Sequence, residues 1–174
     1  MRRLRYQVAS SLDGYIAGAT GEFDWIVMDP EIDFGELFKE YDTAVMGRRT
    51  FEATLQQGGN GSLQGLNVVV FSRTLRQKDF PGVSVVSTDP VETIRSLKAQ
   101  TGKDIWLFGG GELFRTLLDA GVVDTVEPAI IPVLLGGGVL LLPPPAHRKK
   151  LTLTRYRLYK QSGIMLLVYA VSGR

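Results

Sequence analysis

The sequence contains no cysteine, a single histidine and no long apolar run among its 174 residues. Without cysteine there can be no disulfide, no thiolate zinc site and no thiol nucleophile. The only histidine, His147, follows a run of prolines that is typical of a loop. We therefore expect no metal centre and no catalytic triad that depends on histidine.

An excess of charge of one sign is also missing. Twenty basic and 18 acidic residues give a formal net charge of +2 and are spread along the chain, which excludes the single-sign field of a nucleic-acid or membrane binder. The basic start at residues 1–5 resembles a signal n-region, but Asp13 and Gly14 interrupt any apolar region after it. We expect a cytoplasmic protein that binds a small molecule, with no nucleic-acid or membrane partner.

Apolar residues make up 44% of the sequence and charged residues 22%, which suits one domain spanning residues 1–174 with a core of its own. Short apolar strands alternate with amphipathic helices in the first two thirds, and the end is rich in strands. This order predicts an α/β fold with a mostly parallel central sheet, an antiparallel C-terminal edge and about four helices. The predicted strands are 4–10, 43–46, 66–71, 83–86, 105–108, 123–131, 152–159 and 164–171.

Two segments in the first half allow more local predictions. Phe34, Leu37, Phe38 and Tyr41 are spaced so that they share one face of a helix over residues 33–41. Residues 57–65 hold four glycines and no apolar pattern, which predicts a mobile surface loop.

The strongest local signal for chemistry is Phe108-Gly109-Gly110-Gly111-Glu112-Leu113, between an apolar strand and an amphipathic helix. Glycines let the backbone approach a ligand, and free N–H groups at the start of a helix bind anions such as a diphosphate. The alternative is a tight turn that binds nothing. The third glycine of the Rossmann pattern is absent, which argues against an ordinary Rossmann site.

Two more segments follow predicted strands. Gly47-Arg48-Arg49-Thr50 places two guanidinium groups beside a helix that Thr50 is expected to cap, and Phe71-Ser72-Arg73 adds a hydroxyl and a third guanidinium. Arginine suits phosphate because it stays charged and offers forked donors. Solvated arginines beside a cap are the alternative. Ligands of open α/β sheets lie beyond the carboxyl ends of the strands, where all three segments fall, and this favours a phosphate-bearing ligand.

Five motifs in this order resemble the dihydrofolate reductase-like superfamily, and more narrowly the branch of the C-terminal reductase domain of the bacterial riboflavin-biosynthesis deaminase/reductase. The resemblance covers nearly the whole chain and implies a dihydrofolate-reductase-like three-layer fold. The motifs are residues 11–17, 46–52, 71–73, 109–113 and 131–138.

The resemblance implies an oxidoreductase with NADPH as cofactor. Ala9 and Ile16 would border the nicotinamide, and residues 109–113, after Phe108, would wrap the diphosphate. Residues 47–50 and 71–73 would hold the adenosine phosphates, with Arg48, Arg49 or Arg73 at the 2′-phosphate.

On the substrate side the sequence departs from its relatives. Riboflavin-pathway reductases carry a glutamate where this chain has Phe108, and the first helix offers Asp33 and Glu36 at a spacing slightly different from that of true dihydrofolate reductases. Asp13 would orient substrate or relay a proton; the alternative is an acid that only holds its turn. Trp25 would line the substrate site or anchor a loop.

We therefore expect hydride transfer to a C=N or C=O bond of a small, heterocyclic, pterin- or pyrimidine-like substrate. The alternatives are a dihydrofolate reductase or riboflavin-pathway aminopyrimidine reductase proper, and a non-catalytic NADPH-binding module. The β-rich end offers more apolar surface than one small sheet needs, and this, together with the resemblance, favours a homodimer. Asp124 and Glu127, which flank the start of a strand, are expected to be solvated.

Overall fold

The computed structural model describes residues 1–56, 61–63 and 65–172, and its centre is an eight-stranded sheet. The sheet order is β5-β4-β3-β6-β1-β7-β10-β9, while β2 and β8 form a separate two-stranded ribbon. The strands are β1 (Leu4–Ser11), β2 (Tyr15–Ala17), β3 (Tyr41–Gly47), β4 (Asn67–Phe71), β5 (Ser84–Val86), β6 (Asp104–Gly109), β7 (Thr125–Ile131), β8 (Val139–Leu140), β9 (Leu151–Leu158) and β10 (Met165–Val171).

The six neighbouring strands β5, β4, β3, β6, β1 and β7 run parallel to one another, and β10 is antiparallel to both β7 and β9. The predicted mostly parallel sheet with an antiparallel C-terminal edge is thus confirmed. In the sheet, β6 and β1 are neighbours. The chain leaves β1 towards β3 and leaves β6 towards β7, which are in opposite directions along the sheet, and this opens a crevice at the carboxyl ends of the strands.

In the described ranges four α-helices connect the strands, as the sequence predicts, together with one short 3-10 turn, Gln77–Asp79. The helices are α1 (Phe34–Lys39), α2 (Arg48–Gln56), α3 (Pro90–Ala99) and α4 (Gly111–Asp119). Helix α3 begins as expected, because the Asp89 carboxylate accepts a hydrogen bond from the Val91 N–H at 2.8 Å and Pro90 occupies the first turn. Helix α4 ends before Gly121, which has a φ of +69°.

Alternate side chains of the strands pack on two helical layers. Ile105 and Leu107 contact the core beneath α3 and α4, together with Leu4, Tyr6 and Phe114. Trp106 and its neighbours pack on the opposite face, against α1, and Phe51 of α2 joins Met46 there. The result is a three-layer α/β arrangement, with the sheet in the middle.

Three local predictions were wrong. Tyr41 starts β3 and is only 2% exposed against Trp106, because its burial in the sheet outweighs its helical spacing. Thr50 is not a cap, since α2 already begins at Arg48. Glu127 is 1% exposed, because the buried guanidinium of Arg5 pairs with its carboxylate.

Two further findings concern the chain as a whole. The loop predicted for residues 57–65 falls largely outside the described residues. Within the described ranges, no helix has the length and apolar character needed to cross a membrane.

Candidate functional site

A cleft of about 1960 Å³, here called the large cleft, opens at the carboxyl ends of β1, β3, β4, β6 and β7. Its volume exceeds the ~300–1,000 Å³ of ordinary small-molecule pockets and can accommodate a dinucleotide together with a second ligand. Every residue predicted to hold the cofactor lines it. These residues are Ala9, Ile16, Gly47, Arg48, Arg49, Thr50, Phe71, Ser72, Arg73, Phe108, Gly109, Gly110, Gly111, Glu112 and Leu113.

Two exposed arginines at one end of the cleft are available to a ligand. Arg48 is paired with Glu52 at 3.0 Å along α2, whereas Arg49 and Arg73 form no ion pair within the described ranges. Ser72 is 8% exposed, and its hydroxyl accepts hydrogen bonds from the backbone N–H groups of residues 74 and 75. The buried serine thus stabilises the turn that presents Arg73 beside α2.

The start of α4 forms the neighbouring wall. Gly110, in the left-handed region at φ +99°, precedes the helix, and no side chain of the described residues caps the first-turn N–H groups. A Cβ on Gly111 would lie 2.4 Å from the Leu140 carbonyl oxygen, so only glycine allows this approach of α4 to β8. Uncapped N–H groups at a helix start are suited to an anion.

The turn after β1 is held together by the side chain of Asp13. The Asp13 carboxylate accepts hydrogen bonds from the Ser11 hydroxyl at 2.6 Å and from the N–H groups of Leu135 and Gly136, the latter at 2.7 Å. These donors, the Ser11 hydroxyl first, lower the pKa of Asp13 to about 2. Asp13 is exposed and is not among the cleft-lining residues, so the geometry favours the alternative in which it holds its turn.

The residues predicted for the substrate side separate in the structure. Asp33 lines the cleft, although one of its oxygens is occupied as the cap of α1 by the Glu36 N–H at 2.9 Å. Trp25 does not line the cleft: its indole N–H donates to the Glu22 carbonyl at 3.2 Å, and its ring packs on the cluster around Ile131. These contacts favour the alternative in which Trp25 anchors a loop.

Gln7 of β1 is a cleft residue that sequence reasoning missed. Its side-chain oxygen accepts a hydrogen bond from the Tyr41 hydroxyl at 2.8 Å, and the Trp106 indole N–H donates to its backbone carbonyl at 2.9 Å. With the oxygen engaged, the amide N–H₂ of Gln7 remains as a donor at the cleft. The sequence did carry a signal for Gln7. Arg5 and Gln7 are polar residues that alternate with apolar ones in β1, a strand that is buried on both faces, and polar residues at such positions need partners or a ligand.

A buried ion pair lies next to Gln7 on the same face of the sheet. Arg5 donates two hydrogen bonds of 2.8 Å to the Glu127 carboxylate, and the two residues are 4% and 1% exposed. Thr125 donates a further bond to Glu127, and the Arg5 guanidinium lies 4.9 Å from the centre of the Tyr41 ring. Burial raises the pKa of Tyr41, so its hydroxyl stays protonated and orients Gln7.

The far end of the cleft is lined by β9. Arg155 and Arg157 lie there, with Arg157 3.3 Å from the Glu31 carboxylate and 4.5 Å from the centre of the Tyr159 ring. A smaller concavity of about 660 Å³ at the amino ends of the strands includes Arg2 and Lys98, whose charges already pair with carboxylates.

The fold and the large cleft define a three-layer α/β domain with room for ligands at the carboxyl ends of its parallel strands. The chain belongs to the RibD C-terminal domain family, whose sequence model matches residues 2–164. It is 32% identical over 183 residues to the uncharacterised Bacillus subtilis protein YyaP, covering 99% of this chain and 96% of that one. It is also 29% identical to the riboflavin biosynthesis protein RibD of Mycobacterium tuberculosis, covering 76% of this chain but only 42% of that protein.

Solved structures agree with this assignment. A riboflavin biosynthesis protein of Shewanella superposes with a TM-score of 0.82 at 26% identity, covering 98% of this chain and 99% of the other. The bifunctional deaminase and 5-amino-6-(5-phosphoribosylamino)uracil reductase of Thermotoga maritima gives a TM-score of 0.72 at 19% identity, covering 98% of this chain and 57% of that one. The predicted family and three-layer fold are thus confirmed.

Proposed function

We propose that this protein is an NADPH-dependent reductase that transfers hydride to a C=N or C=O bond of a small heterocyclic substrate. The proposal rests mainly on the large cleft, which joins the start of α4 to Arg49 and Arg73. Within the described residues neither arginine forms an ion pair, and no side chain caps that helix start. Membership of a riboflavin-pathway reductase family supports the same reaction class. The substrate would be pterin- or pyrimidine-like.

The residues present fit NADPH. Its diphosphate suits the N–H groups of Gly111 and Glu112, which no side chain of the described residues caps, and its 2′-phosphate suits Arg49 and Arg73 on the adjacent wall. Ala9 and Ile16 would then border the nicotinamide. When bound, this cofactor supplies the hydride, so the protein mainly has to position the two ligands and exclude water.

The substrate would lie beside Gln7, with Asp33 at the rim. The amide N–H₂ of Gln7, held by Tyr41, would donate to a carbonyl or ring nitrogen of the heterocycle. The proton that accompanies hydride transfer would come from water, because Asp13 is ionised at neutral pH and its oxygens are already bonded. The catalytic role of Asp13 remains a prediction, with positioning of the turn as its alternative.

The first test is titration with NADPH and, separately, NADH, followed by quenching of tryptophan fluorescence, Trp106 lining the cleft itself. Tight NADPH binding with much weaker NADH binding is expected. Arg49→Gln and Arg73→Gln should each weaken NADPH binding about tenfold, equivalent to ~1.4 kcal/mol, and barely change NADH binding.

Arg95→Gln is the matched control, because Arg95 is an exposed arginine of α3 that pairs with Glu92 away from the cleft. Its NADPH affinity should equal that of the wild type. Failure of the wild-type chain to bind either nucleotide would refute the reductase proposal, and equal losses in all three variants would remove the assignment to the 2′-phosphate.

The substrate side is tested with an acceptor screen that includes dihydrofolate and the riboflavin-pathway aminopyrimidine. With any acceptor that is reduced, Gln7→Leu should raise KM, while NADPH affinity stays unchanged. Tyr41→Phe should give a smaller rise, because the amide of Gln7 remains but is no longer oriented. An unchanged KM in Gln7→Leu would exclude this contact.

The two named acceptors also decide between the alternatives. Rapid turnover of dihydrofolate or of the aminopyrimidine would make the protein a dihydrofolate reductase or a riboflavin-pathway reductase proper. Binding of NADPH with only slow oxidation by every acceptor would favour a non-catalytic NADPH-binding module. A single domain, a cytoplasmic location and a homodimer complete the proposal.

A further inference from the structure

The large cleft continues well beyond the strand that would border the nicotinamide. Ala9 of β1, Ala129 of β7, Leu166 of β10 and Arg157 of β9 are cross-strand partners in one row, and all four line the cleft. Neighbouring strands lie about 4.8 Å apart, so the row extends about 14 Å from β1 to β9. The floor of the cleft is thus apolar beside the proposed hydride site and cationic at its far end.

This far end lies on the opposite side of β1 from the arginines assigned to the cofactor. Arg49 and Arg73 come just after β3 and β4, and α4 follows β6, all on one side of β1 in the sheet order. Strand β9 lies on the other side, and the spacing of strands puts it about 29 Å from β4. A dinucleotide with its phosphates at Arg73 and its nicotinamide at Ala9 therefore leaves β9 to the second ligand.

Arg155 supplies a positive charge at this end that is not balanced by a carboxylate. It is opposite Val168, as Arg157 is opposite Leu166, so both arginines share the face of the sheet that lines the cleft. Within the described residues Arg155 forms no ion pair, whereas each carboxylate that lines the cleft outside α2 and α4 already has a donor. These carboxylates are Glu31, Asp33, Glu36 and Glu40, bonded to Arg157, the Glu36 N–H, Lys39 and Arg5.

Arg157 is only partly engaged. Its Nη2 donates to the Glu31 carboxylate at 3.3 Å, and the two side chains are 52% and 47% exposed. Exposed pairs of this kind are weak, so a ligand anion can share or displace the carboxylate. The guanidinium also lies 4.5 Å from the centre of the Tyr159 ring, which is buried and orients it. Four of its five N–H donors remain for a ligand.

We propose that Arg155 and Arg157 form a subsite for an anionic group, a carboxylate or a phosphate, that the substrate carries on an arm attached to its heterocycle. The inference rests on the proposed function, because the row begins at the residue that would border the nicotinamide. The heterocycle lies beside Gln7, the arm crosses Ala129 and Leu166, and the two guanidinium groups bind its charged end. Both anions suit forked, permanently charged donors.

The test compares ligands that differ in the anionic group, with binding to the full chain measured by calorimetry without cofactor. Uridine 5′-monophosphate and uridine form the phosphate pair, and pteroate and its methyl ester form the carboxylate pair. The wild type should bind the charged member of at least one pair about tenfold more tightly than the neutral member. The pair that shows the difference tells a phosphate from a carboxylate.

Three variants locate the binding of the anion. Arg155→Gln should reduce the affinity for the charged member about tenfold and leave the neutral member unchanged. Glu31→Gln should increase that affinity about threefold, because Arg157 then has no competing carboxylate, and a merely structural role of the arginines would give no such gain. Arg148→Gln is the matched control, since Arg148 is exposed, precedes β9 and does not line the cleft. It should bind like the wild type.

Equal affinity within both pairs, no binding of any of the four compounds, or equal losses in Arg155→Gln and Arg148→Gln would each overturn the proposal. A loss in Arg49→Gln without one in Arg155→Gln would place the anion at the cofactor end and also overturn it. If Arg155→Gln does not fold, Glu31→Gln decides, because it keeps both arginines.

The subsite and the reductase proposal fail independently. NADPH affinity comes from the separate fluorescence titration and should be unchanged in Arg155→Gln. Preference for the charged ligands without NADPH binding would refute the reductase proposal alone. NADPH binding without that preference would refute the anionic subsite alone.

Discussion

Tyr6 shows the effect of a single polar atom in the core. The residue is fully buried, its ring stacks on Phe114 at 3.9 Å between ring centres, and its hydroxyl has no hydrogen-bond partner among the described residues. Tyr6→Phe removes an unsatisfied group and keeps the ring, so the free energy of unfolding should rise by about 1 kcal/mol. Urea denaturation measures the change.

Tyr41→Phe is the matched control for Tyr6→Phe. The Tyr41 hydroxyl donates to Gln7 at 2.8 Å, so its removal should lower the free energy of unfolding by about 1 kcal/mol. Changes of the same sign in the two variants would contradict the assignment of the Tyr6 hydroxyl as unsatisfied.

Asp13 carries a pH-dependent prediction. Its folded-state pKa, lowered to about 2 chiefly by the Ser11 hydroxyl, lies below the ~3.9 of an unfolded aspartate, so its ionised form stabilises the fold. That contribution is complete above about pH 4 and is lost as the pH falls towards 2. Asp13→Asn should be less stable than wild type at pH 7, and the difference should shrink between pH 4 and 2. A difference that grows on acidification would reverse the sign of the assignment.

At the scale of the element, the start of α4 depends on one small residue. Gly111→Ala would bring a methyl group within 2.4 Å of the Leu140 carbonyl oxygen and 2.9 Å of Pro143 Cδ. Helix α4 and β8 would have to separate, which should lower stability by about 1–3 kcal/mol and weaken NADPH binding at least tenfold. Thermal unfolding and the fluorescence titration report the two effects.

Gly82→Ala is the control for Gly111→Ala. Among the described residues, no heavy atom outside Gly82 and its two chain neighbours lies within 4 Å of the added Cβ, and the φ of Gly82 is not in the left-handed region. NADPH affinity should be unaffected. If Gly111→Ala also bound NADPH normally, the close approach of α4 to β8 would have no role in cofactor binding.

At the scale of the whole molecule, NADPH should stabilise the folded chain. At 100 times its dissociation constant, a ligand of the folded state adds about 2.7 kcal/mol, which raises Tm by roughly 5–10 °C in a chain of this size. NADH at the same concentration should produce a smaller shift. Equal shifts would show that the arginines do not distinguish the two nucleotides.

The cofactor side of the site was largely predictable from the sequence because each of its parts is local. A strand, a glycine turn and a helix start lie within a few residues of each other at 105–113, and the ends of parallel strands meet at one edge of the sheet. Tyr41 and Glu127 were misassigned because their partners lie elsewhere in the chain, whereas Thr50 was misassigned because α2 begins two residues before it, at Arg48. Helical spacing at Tyr41 gave no indication that Trp106 would bury it.

By itself the sequence determined the α/β order of elements, the cap of α3, the glycine turn before α4 and the arginines that follow β3 and β4. These depend on backbone preferences and periodicity within short windows. Only the tertiary structure decided that Glu127 pairs with Arg5 and that Gln7 faces the large cleft. Such contacts join residues up to 122 positions apart, and strand order and register, which no local pattern encodes, bring them together.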